Sequence, residues 1–169
     1  MEQLPWHQYA GESAEELLSL ANTHRADSLV VAFEMALGQK AARLGDHALS
    51  AVEHDVLAIE ALEREVNNGG YGQFFSNSSN EHAGHIVTAL ERIGCGPTAA
   101  ITARAIASLP AGIALTPESL DAEMARADNE RDTRLEECND TYLATPEDIA
   151  AQLLQYLLSN RAELRLLPE

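Results

Sequence analysis

Between Asp46 and Asn67 the apolar residues Leu49, Val52, Val56, Ile59, Leu62 and Val66 recur at steps of three and four. That is the stripe of a helix with one buried face. Asn67-Asn68-Gly69-Gly70 then stops it, because Gly, and to a lesser degree Asn, tolerates the left-handed backbone of a helix C-terminus. A helix like this needs other helices to cover its stripe, and the flanking sequence supplies them. Aromatic residues are only 5% of the chain and Ala and Leu dominate the apolar set, which favours helix over strand. No alternating strand pattern runs for more than a few residues. The expectation is an all-α fold: one compact helical domain over residues 1–169, of six to eight helices, with the 46–67 helix central.

Local signals place the other elements. Residues 1–12 contain Pro5 and Gly11 and read as irregular. Ser13-Ala14-Glu15-Glu16 is a capping box before Leu17 and Leu18. A helix is predicted over 27–43, and Gly45-Asp46 reads as a glycine stop followed by an N-cap. Tyr71–Phe75 is a short aromatic segment, and Ser76–Asn80 a polar turn. Helices follow at about 81–93 and 97–109, the latter opened by Pro97 at its first turn. Thr116-Pro117-Glu118 and Thr145-Pro146-Glu147-Asp148 are matching starts for helices at 117–139 and 146–165, each with acids where the helix dipole favours them.

The chain carries 27 acidic and 11 basic side chains, a net charge of −16. Direct binding to nucleic acid or to an anionic membrane is disfavoured, since both need a cationic face. The charge is uneven. Residues 46–65 are net −5 and residues 118–148 net −8, while 66–117 and 149–169 are neutral. Within the second block Asp128, Asp132, Glu136 and Asp140 recur every four residues, a carboxylate every ~6 Å along a helix. Glu123, Glu130 and Glu137 recur every seven on the opposite flank. Leu120, Met124, Ala127, Leu135, Cys138 and Tyr142 mark the inward stripe between them. Like charges at i,i+4 cost an isolated helix a few tenths of a kcal/mol per pair, about as much as opposite charges gain, so folding alone does not ask for this pattern. The plain alternative is a solvated helix face.

Catalytic chemistry is not indicated. His82 and His85 lie three apart beside Glu81, and His47 and His54 seven apart on the long helix, but neither pair has a placed third ligand or the base of HExxH. Gly69-Gly70-Tyr71-Gly72 fits neither a P-loop nor GxGxxG. Cys95 and Cys138 make neither a disulfide framework nor a four-ligand zinc site, and read as core thiols of a reduced compartment. No apolar run reaches the ~18–20 residues of a membrane span, and the N-terminus lacks a secretory pattern. A cytoplasmic location, no cofactor, no metal and no enzymatic activity are expected.

Residues 62–77 read LEREVNNGGYGQFFSN. This resembles the signature of a bacterial domain family of largely unknown function, in which a helix ends in Glu-x-Asn-Asn-Gly-Gly before an aromatic, a Gln, an aromatic pair and an Asn. ALERIGC at 89–95 and DTYLATPEDIAAQLLQYLLSN at 140–160 extend the likeness over roughly 46–160. The best-described member of that family is an acidic DNA mimic. The resemblance implies an all-helical fold and, for that member, a protein that occupies the DNA-binding face of a transcription regulator. Glu65, Asn67, Asn68, Gly69, Gly70, Gln73 and Asn77 are read as a structural signature around a tight helix stop, because Asn and Gln side chains there can satisfy backbone groups.

The expected function is that of an acidic protein which meets the basic DNA-binding surface of a regulator or other nucleic-acid-binding protein. The residues expected on that surface are Glu53, Glu60, Glu63, Asp121, Glu123, Asp128, Glu130, Asp132, Glu136, Glu137 and Asp140. Two alternatives stand beside it: a helical interaction module whose acidity serves solubility, and a small-ligand binder or enzyme at the Asn-Asn-Gly-Gly region. A homodimer is left open.

Overall fold

The computed structural model describes residues 3–167; Met1, Glu2, Pro168 and Glu169 lie outside the described residues. Among the described residues eight α-helices account for the fold: α1 (Ala14–Ser19), α2 (Ala26–Leu44), α3 (Ala51–Ser76), α4 (Ile86–Arg92), α5 (Gly96–Ala107), α6 (Pro117–Met124), α7 (Asn129–Ala144) and α8 (Ile149–Ser159). Short 3₁₀ turns cover Asp46–Ala48, Ser78–His82 and Arg161–Glu163. No strand occurs among the described residues, so the all-α expectation holds. Residues 3–12 of the irregular segment form no helix. The helices pack as two compact units, one of residues up to Glu60 and from Asp148 onward, the other of Ala61–Glu147.

In the first unit α2 packs against α1 and α8. Leu29, Val30, Phe33 and Leu37 of α2 are buried, as are Ile149, Leu153, Leu154 and Leu157 of α8. Both sets repeat with helical period, so each helix hides one stripe. The start of α3 corrects the sequence reading. The N-cap is not Asp46, which sits in a 3₁₀ turn, but Ser50. Its Oγ accepts the Glu53 N–H at 3.2 Å while the Glu53 carboxylate accepts the Ser50 N–H at 2.9 Å, a reciprocal capping box. The same carboxylate takes Lys40 Nζ at 2.6 Å and the Arg165 N–H at 2.7 Å. It joins α2, α3 and the segment after α8. Nearby Asp55 accepts the Tyr156 hydroxyl at 2.8 Å.

In the second unit α5 packs against α4 and α7, and α6 against the 78–82 turn. Its core holds the aromatics of the signature: Tyr71, Phe74 and Phe75 are each 0% exposed. The Tyr71 ring meets Tyr142 edge-on at 5.9 Å, and its hydroxyl shares a 2.8 Å hydrogen bond with Thr102 Oγ1. The expected stop at Asn67-Asn68-Gly69-Gly70 is present in the backbone, as a kink between two helical stretches that follow one another directly. Helical geometry fails at Gly69 (φ −153°, ψ 15°) and Gly70 (φ 79°, ψ −176°), and α3 resumes as far as Ser76. The Gly70 conformation is essentially confined to glycine. A Cβ there would also lie 2.3 Å from Asn139 Nδ2 of α7. The close approach has a purpose, because Asn139 Oδ1 accepts the Tyr71 N–H at 2.8 Å, a donor that the kink strips of its helical partner.

Other boundaries also differ from expectation: the helix expected from about 81 begins at Ile86, after a 3₁₀ turn. The helix expected over 117–139 is two helices, broken at 125–128, and α8 starts at an Asp148 cap (Asp148 accepts the Ala151 N–H at 2.9 Å) and ends at Ser159 rather than near 165.

Gly70→Ala is expected to destabilise the protein by about 2 kcal/mol or more, from backbone strain together with displacement of Asn139. Gly72→Ala, at a helical position where a Cβ meets nothing within 4 Å, should be neutral or stabilise by up to about 1 kcal/mol. Urea unfolding of the two variants checks the contrast; equal effects would mean the kink carries no special strain.

Candidate functional site

The acidic block between Pro117 and Asp148 folds around one buried cation. Arg131, at the first turn of α7, is 3% exposed. Its Nη1 donates to the Glu123 carbonyl at 2.7 Å and to Glu123 Oε1 at 3.1 Å. Its Nη2 donates to the Arg126 carbonyl at 2.9 Å and to Asp132 Oδ1 at 2.9 Å, and Nε to Asp132 Oδ1 at 3.0 Å. All five guanidinium donors are engaged. They collect the carbonyls at the end of α6 and hold the 125–128 turn against α7. Sequence periodicity passed over Arg131 because arginine is not apolar. Yet the buried face of α7 is Arg131, Leu135, Cys138 and Tyr142, and Arg131 fills the gap in the expected stripe between Ala127, which is exposed, and Leu135.

This break sorts the carboxylates. Glu123 is 7% exposed and bound to Arg131, so it does not share a flank with Glu130 and Glu137. Asp128 is the N-cap of α7 and accepts the N–H groups of Glu130 at 3.1 Å and Arg131 at 3.0 Å. These backbone donors, the Arg131 N–H first, hold its carboxyl below the ordinary range. Asp121 is exposed but accepts the Asn80 side-chain amide at 2.8 Å. Glu130 is exposed and paired with Arg134 one turn on. Asp132 is 55% exposed while it touches Arg131. Glu136, Glu137 and Asp140 are exposed on α7. Asp132, Glu136 and Asp140 step along one side of α7 at ~6 Å intervals.

The acids expected from the long helix behave differently. Glu53 is 0% and Glu60 8% exposed. Both are too buried to present charge to a partner, and Glu53 is held by the capping box and Lys40. Glu63 is half-buried, and its carbonyl accepts the Asn67 side-chain amide at 2.7 Å.

Three of the signature residues, Glu65, Gln73 and Asn77, bind one another. Glu65, 7% exposed, accepts hydrogen bonds from Gln73 Nε2 at 2.7 Å, Asn77 Nδ2 at 2.9 Å and Ser79 Oγ at 2.8 Å. Burial pushes its carboxyl up, and the Gln73, Ser79 and Asn77 donors together outweigh that, leaving it below its ordinary value. Gly69 leaves the room that Gln73 needs: a Cβ at Gly69 would sit 2.0 Å from Gln73 Oε1. Asn68 is exposed. His82 and His85 meet edge to face at 5.9 Å, with His82 Nε2 3.6 Å from Glu81. Cys95 and Cys138 are buried free thiols. Among the described residues no helix is long and apolar enough to cross a membrane.

A family model described as DMP19-like protein, the name denoting DNA mimic protein 19, matches residues 47–160. No curated protein and no solved structure matches the chain.

Replacing Arg131 with Met should cost about 3 kcal/mol or more, since buried Glu123 then loses its close cation and keeps only the exposed Arg126 at 3.8 Å; a chemical denaturation curve unchanged from the parent would refute the clamp. For Glu65 the sign follows from linkage. A carboxyl lower in the folded than in the unfolded state adds stability above its unfolded value, 4.5, and loses it as pH falls through the folded value. The stability gap between the parent and Glu65→Gln, measured by urea titration at successive pH values, is therefore expected to be open at pH 7 and to narrow below pH 4.5. A gap that ignores pH would show that the donors do not depend on the charge.

Proposed function

The chain belongs to the DMP19-like family, and from that premise we propose that it is a DNA mimic: a binding protein whose α7 carboxylates stand in for phosphates on the DNA-binding surface of a basic protein. The observation that carries the reading is the exposed row Asp132, Glu136 and Asp140, with Glu137 beside it, on one regular helix. Its ~6 Å steps resemble the spacing of backbone phosphates on one strand, so Lys and Arg side chains arranged for phosphates can engage it. Solubility asks for less charge. A net magnitude of ~2–8 serves a small domain, whereas this chain carries −16. The remaining excess repels itself, a cost that attraction of a cationic partner offsets.

The proposed face is narrower than the sequence suggests. Glu53, Glu60 and Glu123 are buried, and Asp128 caps a helix. Asp132, Glu136, Glu137 and Asp140 form its centre, with Glu130 and Asp121 at its edge. The partner is a DNA-binding protein with a basic groove-facing surface, met in the cytoplasm. Binding of this kind is fast and salt-sensitive, because exposed charges are screened over ~10 Å at 0.1 M salt.

The test starts from a DNA-binding protein captured from the source cell at low salt and then purified. This protein and duplex DNA should compete for it. Changing Glu136, Glu137 and Asp140 together to Gln or Asn, and leaving Asp132 with its bonds to Arg131, should weaken capture at least tenfold and flatten its salt dependence, with the melting temperature preserved. Unchanged affinity and salt slope in that folded variant would remove the α7 face from the reading; failure to compete with DNA would remove mimicry itself.

A further inference from the structure

Among the described residues of the 61–147 unit, every large apolar side chain but one is buried or half-buried; Leu143, on the last turn of α7, is 64% exposed. Single apolar residues on a surface are common, so its place on the helix matters more than its exposure. At about 3.6 residues per turn, Leu143 stands about three turns beyond Asp132 and about two beyond Glu136, rotated by only ~20° from each, in opposite directions. Asp140 lies one turn before it, ~4.5 Å back along the axis. Leu143 is therefore inside the exposed carboxylate face. The buried residues Arg131, Leu135, Cys138 and Tyr142 are ~80–140° away around the helix, so packing of the core does not account for a leucine here.

The helix surface around Leu143 carries one sign of charge. Glu136 and Asp140 are exposed on its side of α7. The last turn of α7 holds no basic residue. Arg134 is rotated by ~180° from Leu143 and pairs with Glu130. Ala144 and Pro146, also exposed, continue the apolar spot past the end of the helix. A protein surface that reads DNA in the major groove sets two kinds of group side by side: cations and polar donors for the phosphates, and apolar atoms for thymine methyl groups. This side of α7 offers the complement of both on one helix.

We propose that Leu143 is the apolar anchor of the acidic α7 face, and that the occupant of this face is a DNA-binding protein whose phosphate-gripping Lys and Arg residues border an apolar contact of the kind that meets a thymine methyl. This rests on the mimic reading and adds to it a part of the affinity that does not depend on salt. The carboxylates attract through charge, which salt screens. Burial of Leu143 removes apolar area from water, which screening leaves untouched. Fully burying a leucine side chain corresponds to a factor of roughly ten or more in affinity.

The test takes the DNA-binding protein purified by capture as its probe and follows the Kd of that probe for the full chain over a series of sodium chloride concentrations. Leu143→Ser should weaken binding roughly tenfold, by the same factor at every concentration and with the melting temperature unchanged. Leu143→Met, which keeps the apolar volume, should bind as the parent does. The combined Glu136, Glu137 and Asp140 variant should instead change the slope. Parent affinity in folded Leu143→Ser, a loss that shrinks as salt rises, or an equal loss in Leu143→Met would each overturn the anchor and leave the carboxylate face in place. Parent affinity and slope in the combined variant would overturn both, as would failure of duplex DNA to displace the probe.

Discussion

Gly70 holds a backbone conformation that a side chain would forbid, and the 61–147 unit is arranged about that fact. The kink frees the Tyr71 N–H, and Asn139 of α7 reaches in to accept it. This works only because no Cβ stands in the way. Beyond the kink, Tyr71, Phe74 and Phe75 turn into the core. On its near side Glu65 gathers Gln73, Asn77 and Ser79 from the returning chain. A buried carboxylate without such donors would carry a large desolvation cost; with three of them it fixes the angle at which the chain leaves α3. Glu65, Gln73 and Asn77 of the signature therefore serve the fold by engaging each other.

Arg131 plays the matching role for the acidic block. A buried ion pair is not by itself a source of stability, since desolvation can cancel the attraction. Its effect here is one of position. By gathering the Glu123 and Arg126 carbonyls it ends α6, and with Asp128 as cap it starts α7 in a fixed register. The carboxylates that do this work are withdrawn from solvent or turned inward, and those that remain exposed stand together on one regular helix.

The chain's negative charge thus divides into structural and free parts. Glu53, Glu65 and Glu123 are buried with specific donors. Glu136, Glu137 and Asp140 face water on α7. Burial of Leu135, Cys138 and Tyr142 on the other side of α7 sets which carboxylates face out, so packing of the core and display of charge are two consequences of one helical stripe.

Periodicity and capping signals determined the all-helical class and the starts of α1, α2, α5 and α6, because both act over a few neighbouring residues. The Ser13 capping box and the Thr116-Pro117 start are where local chemistry puts them. The Ser50-Ala51-Val52-Glu53 box was equally legible, and would have shown that Glu53 belongs to a cap and not to a surface. The likeness of residues 62–77 to a family signature pointed to the family. What only the tertiary structure decided is which charges are buried and where α6 gives way to α7. A run of acids looks the same in sequence whether its members face water or a guanidinium. The break at 125–128 depends on Arg131 finding carbonyls five and eight residues behind it, and Gly70 on an asparagine 69 positions ahead. Desolvation is settled by neighbours in space, and one strand of sequence does not say who they are.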